Sequence, residues 1–237
     1  GSQFNATQYL VPRMRAVPTQ QRWPTGKQQT STSSHSGAPP DRMSDQLQTL
    51  YTIIETLPQG LKDHLYRTQQ VGSALSLRFG VDPYKVMLGT LGHDIYRAVS
   101  EQQLLEAATL SGIAVEPIEI RIPILLHGPL AAFRLQRDCG IDDKEILEAV
   151  RWHSTGWGNI DKVGLVVFLA DKLDPVKVEK AAKLKVVERL AEGSLEGAAL
   201  QYLTDEINWL LSTGDLLHPA SIECRNFLLS QAESNSS

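Results

Sequence analysis

From Ser44 onward, residues that start helices and residues that stop them follow one another about every 12 to 20 positions. No stretch of this body alternates apolar and polar residues between turn signals as a half-buried strand would, so the pattern predicts an all-α bundle. Helices are expected over residues 44 to 56, ahead of Pro58 and Gly60, and over 61 to 79, stopped by Gly80. Asp82 followed by Pro83 opens a third that should reach Asp94, because Asp caps free amides and Pro tolerates the first helical position. Ser100 with Gln103 makes a capping box for a helix ending near Leu110. Residues 116 to 126, with Pro117 and Pro123, read as the irregular part. Further helices are expected over 129 to 139, 142 to 153, 160 to 173, 176 to 191, 194 to 211 and 219 to 231.

Residues 1 to 42 break with this pattern. Five basic residues and one acid, amid Gln, Ser, Thr and Pro, give them +4 in a chain of net charge -4, leaving -8 on residues 43 to 237. Such a composition buries too little apolar surface to offset its ordering entropy, so a disordered tail is expected. An artificial or upstream-frame leader, a natural linker and an organelle transit peptide all fit; the Gly-Ser start, with Met43 opening the ordered pattern, favours the first. The acidic body argues against nucleic acid and anionic membrane as partners. Its longest clean apolar run, 163 to 170, is far short of the roughly 20 residues of a membrane span. Cys139 and Cys224 match neither a disulfide framework nor a thiolate zinc site. A reducing cytoplasm is the expected compartment, and any metal must be held by His and carboxylates.

His35, in the tail, is set aside. His93 and Asp94 are adjacent at the end of an apolar helix (Val86, Met87, Leu88, Leu91), where buried polar groups need partners. A metal would satisfy both, and so would an Asp94 that caps a neighbouring helix and accepts from His93. His127 stands at a helix entrance in LLHGPLAAF. His153 ends a helix with an inward face of Ile146, Ala149 and Val150, ahead of the polar turn Ser154, Thr155, Gly156. Asp171 closes VVFLAD, whose apolar residues would bury its carboxylate. Each alone is more often structural than ligating; together, from segments poor in charge, they form a pattern chance rarely produces. Mixed imidazole and carboxylate donors suit iron, manganese, cobalt or zinc with open positions, where bound water becomes a nucleophile near neutral pH. The carboxylates could bridge two ions, an arrangement suited to phosphoryl transfer.

The order and context of these residues resemble the HD-domain metal-dependent phosphohydrolases, and more closely their YqeK branch, which is similar to symmetrical diadenosine tetraphosphate hydrolases. The likeness spans most of residues 61 to 176, and the C-terminal helices, 176 to 231, match loosely. It rests on His93-Asp94 closing a helix, His127-Gly128-Pro129 opening one, the turn His153-Ser154-Thr155-Gly156, and Leu169-Ala170-Asp171. The resemblance implies an HD-domain helical bundle with metal ligation by His93, Asp94, His127, His153 and Asp171, holding one or two divalent ions, iron first. Asp94 and Arg97 are the candidate catalytic residues, and Arg67, Arg97, Gly128, Thr155 and Lys172 the candidate substrate contacts. Arg97 stands where the branch usually has Lys, and could neutralise a phosphate oxygen.

One position departs from the branch. Its first metal-binding His falls on Arg67, four residues before Val71, and its Arg falls on His64, so the two types are exchanged. Arg stays protonated and cannot ligate a cation. His64 would sit about 4.5 Å along the helix from the usual place, at a rise of ~1.5 Å per residue, outside the tolerance of metal-ligand distances. Ligation by His64 and an exposed helix position are both open. In one reading the protein is an enzyme that splits a dinucleoside polyphosphate symmetrically into two nucleoside diphosphates. In another it is a nucleotide-binding or regulatory relative, with Arg67 as an anion contact. A third makes it a metal-free helical scaffold. Among the last helices Lys177, Lys180, Lys183 and Lys185 read as a solvated face and His218 as a turn residue. Trp209, Leu210 and Leu211 read as core, with a homodimer contact as the alternative.

Overall fold

The computed structural model describes residues 40–234, all of whose regular structure is helical. The expected tail lies outside the described residues as far as position 39, and with it the three accounts of its origin. In chain order the elements are α1 (Pro40–Glu55), α2 (Gln59–Phe79), α3 (Pro83–Gly92), α4 (Glu101–Leu110) and α5 (Pro117–Arg121). A 3-10 turn (Pro123–Leu126) leads into α6 (His127–Cys139), α7 (Lys144–Arg151) and α8 (Lys162–Lys172). The chain continues through α9 (Pro175–Lys180), α10 (Ala182–Leu190), α11 (Leu195–Thr213) and α12 (Pro219–Ser234). No described helix is long and apolar enough to cross a membrane.

The punctuation is used as expected in several places. The Asp82 side chain accepts from the Tyr84 and Lys85 amides, and Ser100 with Gln103 closes a capping box. Gly80 and Gly140 end α2 and α6 in the left-handed conformation, with φ of 65° and 63°.

Four expectations need correction. Helix α1 begins at Pro40 rather than Ser44, so residues 40 to 42 belong to the body: Pro suits a first helical turn, and Arg42 and Gln46 bond Asp142 and the Gly140 carbonyl. Residues 116 to 126 are ordered as α5 and the 3-10 turn, each opened by a proline. The expected helix over 176 to 191 is two, broken at Ala181 (φ -132°, ψ 107°). In one continuous helix Val178 and Leu184 would point about 120° apart; the break re-phases them, and both are buried. Finally, Trp209 and Leu211 are 50% and 64% exposed, not core. Helix α11 buries an earlier face, Leu195, Ala198, Ala199 and Leu203, and Trp209 lies beyond it, with the Lys183 ammonium 5.8 Å from its ring.

Helix α8 is apolar all round and buried from Val163 to Lys172, packed by α2, α3, α7 and α11. Helix α2 comes close to it at Gly72, where a Cβ would lie 2.8 Å from the Thr90 methyl and 3.6 Å from the Ala170 methyl. Thr68, one turn earlier on that face, is fully buried, and one turn earlier again stands His64. That packing brings the start of α2, the end of α3 and the end of α8 to one point.

Candidate metal centre

Three histidines are aimed by one local device. His93 follows the last turn of α3, His127 follows the 3-10 turn, and His153 lies just past α7. Each imidazole Nδ1 donates to the main-chain carbonyl three residues back, in the last turn of the element before it, where carbonyls have spare accepting capacity. The acceptors are Thr90 O at 2.7 Å, Ile124 O, and Val150 O at 2.7 Å. A carbonyl only accepts, so each Nδ1 carries a proton and, in the neutral imidazole, each Nε2 carries the lone pair. His64 reaches the same state by another route, with Nδ1 at 2.7 Å from the carboxylate of Asp174.

The four Nε2 atoms converge on two carboxylates. His64 and His93 lie 3.3 and 3.6 Å from Asp171 Oδ1, and each lies 3.6 Å from Asp94 Oδ2. On the other side His127 and His153 lie 3.1 and 3.3 Å from Asp94 Oδ1, with their own Nε2 atoms 2.9 Å apart. Asp94 is thus shared between two donor groups, His64–His93–Asp94–Asp171 and Asp94–His127–His153, all of whose members are buried. It caps no described helix and faces the imidazoles instead. With the imidazoles neutral, acceptors face acceptors here, and the buried Nε2 atoms of His64 and His93 have no hydrogen-bond partner among the described residues. Buried polar atoms left in that state are costly, and a divalent cation would satisfy the set. Four imidazoles and two carboxylates fit a borderline first-row ion better than magnesium or calcium.

The electrostatics point the same way. Burial alone would raise the carboxyls of Asp94 and Asp171. The histidines hold Asp94 well below the usual range, and Lys172, His64, His93 and Lys177 do the same for Asp171. Burial pushes His153 down to about 4 against the pull of Asp94, leaving it neutral and free to ligate. Burial would also lower His93, but Asp94 and Asp171 outweigh it and hold its pKa up.

The centre opens into a cleft of about 300 Å³ lined by polar and apolar residues. Arg97, Lys172 and Lys177 supply cations, and Ile124, Leu125, Leu184 and Tyr202 supply apolar wall. Arg97 is exposed, with no side-chain partner among the described residues. Lys172 is buried, its ammonium donating to Asp171 Oδ2 at 2.8 Å and to the His153 carbonyl at 2.6 Å. Lys177, more exposed, donates to Asp171 Oδ1 at 2.6 Å.

Three expected substrate contacts lie elsewhere. Arg67 is engaged with Asp174, by Nε to Oδ1 at 2.8 Å and Nη2 to Oδ2 at 2.9 Å. Gly128 lets α6 approach α7, for a Cβ there would lie 2.6 Å from the Arg151 carbonyl oxygen. Thr155 is buried, donates to the Gly156 carbonyl and faces a separate small cavity beside His218. For His64, where ligation and an exposed helix position were both open, the structure places the ring in the cluster. Its offset along α2 does not carry it away, because residues 64, 68 and 72 form the stripe pressed towards α3 and α8. Arg67, 60° round the helix from that stripe, emerges at its edge. Sequence reasoning missed Asp174 and Lys177. Asp174-Pro175 carries the same capping signature as Asp82-Pro83, and Asp174 does cap α9 by accepting from the Val176 amide. Nothing local signals its bond to His64.

A model of the family described as "HD domain" matches residues 61–176. The chain is 26% identical over 180 residues to the symmetrical bis(5'-nucleosyl)-tetraphosphatase of Halalkalibacterium halodurans, covering 74% of this chain and 95% of that one. It is 24% identical over 181 residues to the protein of the same description from Bacillus subtilis, covering 75% and 96%. A crystal structure from Clostridium acetobutylicum, described as a predicted HD superfamily hydrolase involved in NAD metabolism, superposes with a TM-score of 0.71 at 24% identity, over 82% of this chain and 98% of that one. By its fold, by the matched segment and by the residues gathered where α2, α3 and α8 meet, the chain belongs to the HD-domain family.

Proposed function

We propose that the protein is a metal-dependent phosphohydrolase that cleaves a dinucleoside polyphosphate symmetrically, diadenosine tetraphosphate being the first candidate. The observation that carries this reading is the convergence of four imidazoles on two carboxylates at a cleft that also holds Arg97, Lys172 and Lys177. The curated relatives of that description supply the substrate class. His64, His93, Asp94 and Asp171 would hold one ion, and His127 and His153, sharing Asp94, a second, with iron, manganese or cobalt preferred. A bound divalent ion supplies Lewis acidity towards phosphate oxygens and a nucleophilic water near neutral pH.

The chain's own groups do the rest. Arg97 and Lys177 neutralise phosphate oxygens, while Ile124, Leu125, Leu184 and Tyr202 receive a nucleoside and keep bulk water out. Lys172 holds Asp171 and the His153 loop in place. Water adds its oxygen to one of the two central phosphorus atoms, the bridging P–O bond between them breaks, and the bridging oxygen leaves with the other half. One substrate and one water give two ADP.

The reading of an impaired nucleotide binder drew on Arg67 as an anion contact, whereas its guanidinium is engaged by Asp174. A metal-free scaffold leaves the orphaned Nε2 atoms unexplained. The test is chromatographic: the full chain, loaded anaerobically with iron, manganese or cobalt, should convert diadenosine tetraphosphate to ADP alone. An absence of turnover with all three ions, or AMP and ATP as products, would overturn the proposal.

A further inference from the structure

His64 is oriented by side chains, and the groups that orient it form a closed set. Its Nδ1 bonds Asp174 Oδ2 at 2.7 Å. Asp174, 1% exposed, has both oxygens fully engaged: Oδ1 accepts from Arg67 Nε at 2.8 Å and the Val176 amide at 3.0 Å. Oδ2 accepts from His64 and, at 2.9 Å, from Arg67 Nη2. The two parallel bonds from the planar guanidinium fix the plane of the carboxylate as a single bond or a point charge would not. An ionised carboxylate only accepts, so the imidazole proton is held on Nδ1, and Nε2, buried and without a partner, is left aimed between Asp94 and Asp171.

We infer that Arg67 and Asp174 are positioning residues, which set the tautomer and aim of His64 so that its Nε2 completes the donor group with His93, Asp94 and Asp171. The inference rests on the metal-centre reading above, and it makes Arg67 a support of that centre rather than a contact for substrate. The arrangement also joins the centre to the cleft wall. The carboxylate that orients His64 caps α9, the helix that carries Lys177, so the imidazole and the phosphate-facing lysine share one anchor.

The experiment reads His64 directly and then reads metal binding. Nitrogen-15 spectra of the imidazoles in the metal-free full chain report the tautomer, and calorimetric titration with manganese alone reports affinity. Asp174→Asn keeps size and a capping side chain, but presents an amide whose oxygen cannot serve Arg67 and His64 as the carboxylate does. Arg67→Gln changes a partly exposed position and removes the fork. Thermal melts identify any variant that has failed to fold. The expected result is an Nδ1-protonated His64 in the parent chain, lost or mixed in Asp174→Asn, with manganese affinity lower by roughly 10 to 100-fold. Arg67→Gln should move in the same direction by less, and Arg67→Lys should fall between it and the parent. An unchanged His64 signal and unchanged affinity in folded Asp174→Asn would overturn the inference. A tautomer that shifts as expected in a chain that binds no manganese would uphold the orientation by Asp174 and overturn the metal-centre reading instead.

Discussion

The two sides of the centre are built from different materials. On one side His127 and His153 are held by main-chain carbonyls, which no substitution of a side chain removes. On the other, His93 is held in the same way, but His64 depends on Asp174, and Asp174 on Arg67. The lesson is that a ligand fixed by backbone is tied to one place in the sequence, whereas one fixed by side chains can move along its helix if its supports move too. His64 and Arg67 both belong to the side-chain-held side.

Substitution at the residue common to both sides should have the largest effect. Asp94→Asn is expected to weaken metal binding by both groups and to lower kcat about a thousandfold, several kcal/mol of transition-state stabilisation. Elemental analysis of the purified variant alongside its kinetics would check this, and retention of one full equivalent would show that the two sides are independent. Chelation comes next. Stripping an ion present at 100 times its dissociation constant should cost about 2.7 kcal/mol of stability, seen as a lower melting temperature restored by manganese.

The backbone-held side can be struck alone. Gly128→Ala would push a methyl towards the Arg151 carbonyl and to 3.1 Å from the Val150 oxygen that holds His153. It should cost ~1–3 kcal/mol in denaturant unfolding and weaken manganese binding while leaving the His64 tautomer unchanged. The smallest effect is a pH slope. Asp94 and Asp171 raise the pKa of His93 in the metal-free protein, so the stability it contributes is fully present below about 6.5 and is lost as pH rises through the raised value. Metal binding must expel that proton and so strengthens with pH. The gap in melting temperature between loaded and metal-free protein should therefore widen from pH 6 to pH 8; a constant gap would place no proton on His93.

The same difference in materials explains what the sequence made legible. His93, His127 and His153 each carry their signal within four residues, as a polar residue at the end or entrance of an apolar helix, and Asp171 is a carboxylate at the end of a buried one. The capping residues Asp82, Ser100 and Gly80 likewise act on neighbours in the chain, and their helices were found. His64 could not be settled, because its aim depends on how closely α2 packs at Gly72 and on a carboxylate 110 residues away. Trp209 was misplaced for the same kind of reason: where a helix outruns the core beneath it is decided by tertiary packing, not by the local run of apolar residues.

The 110-residue separation between His64 and Asp174 also bears on the order of assembly. Three imidazoles acquire their orientation as soon as a single turn of chain forms around them, on the time scale of helix growth. The fourth waits until the ends of a long segment have closed and its loop entropy has been lost. The orientation of His64 thus requires a long-range closure that the orientation of the other three does not.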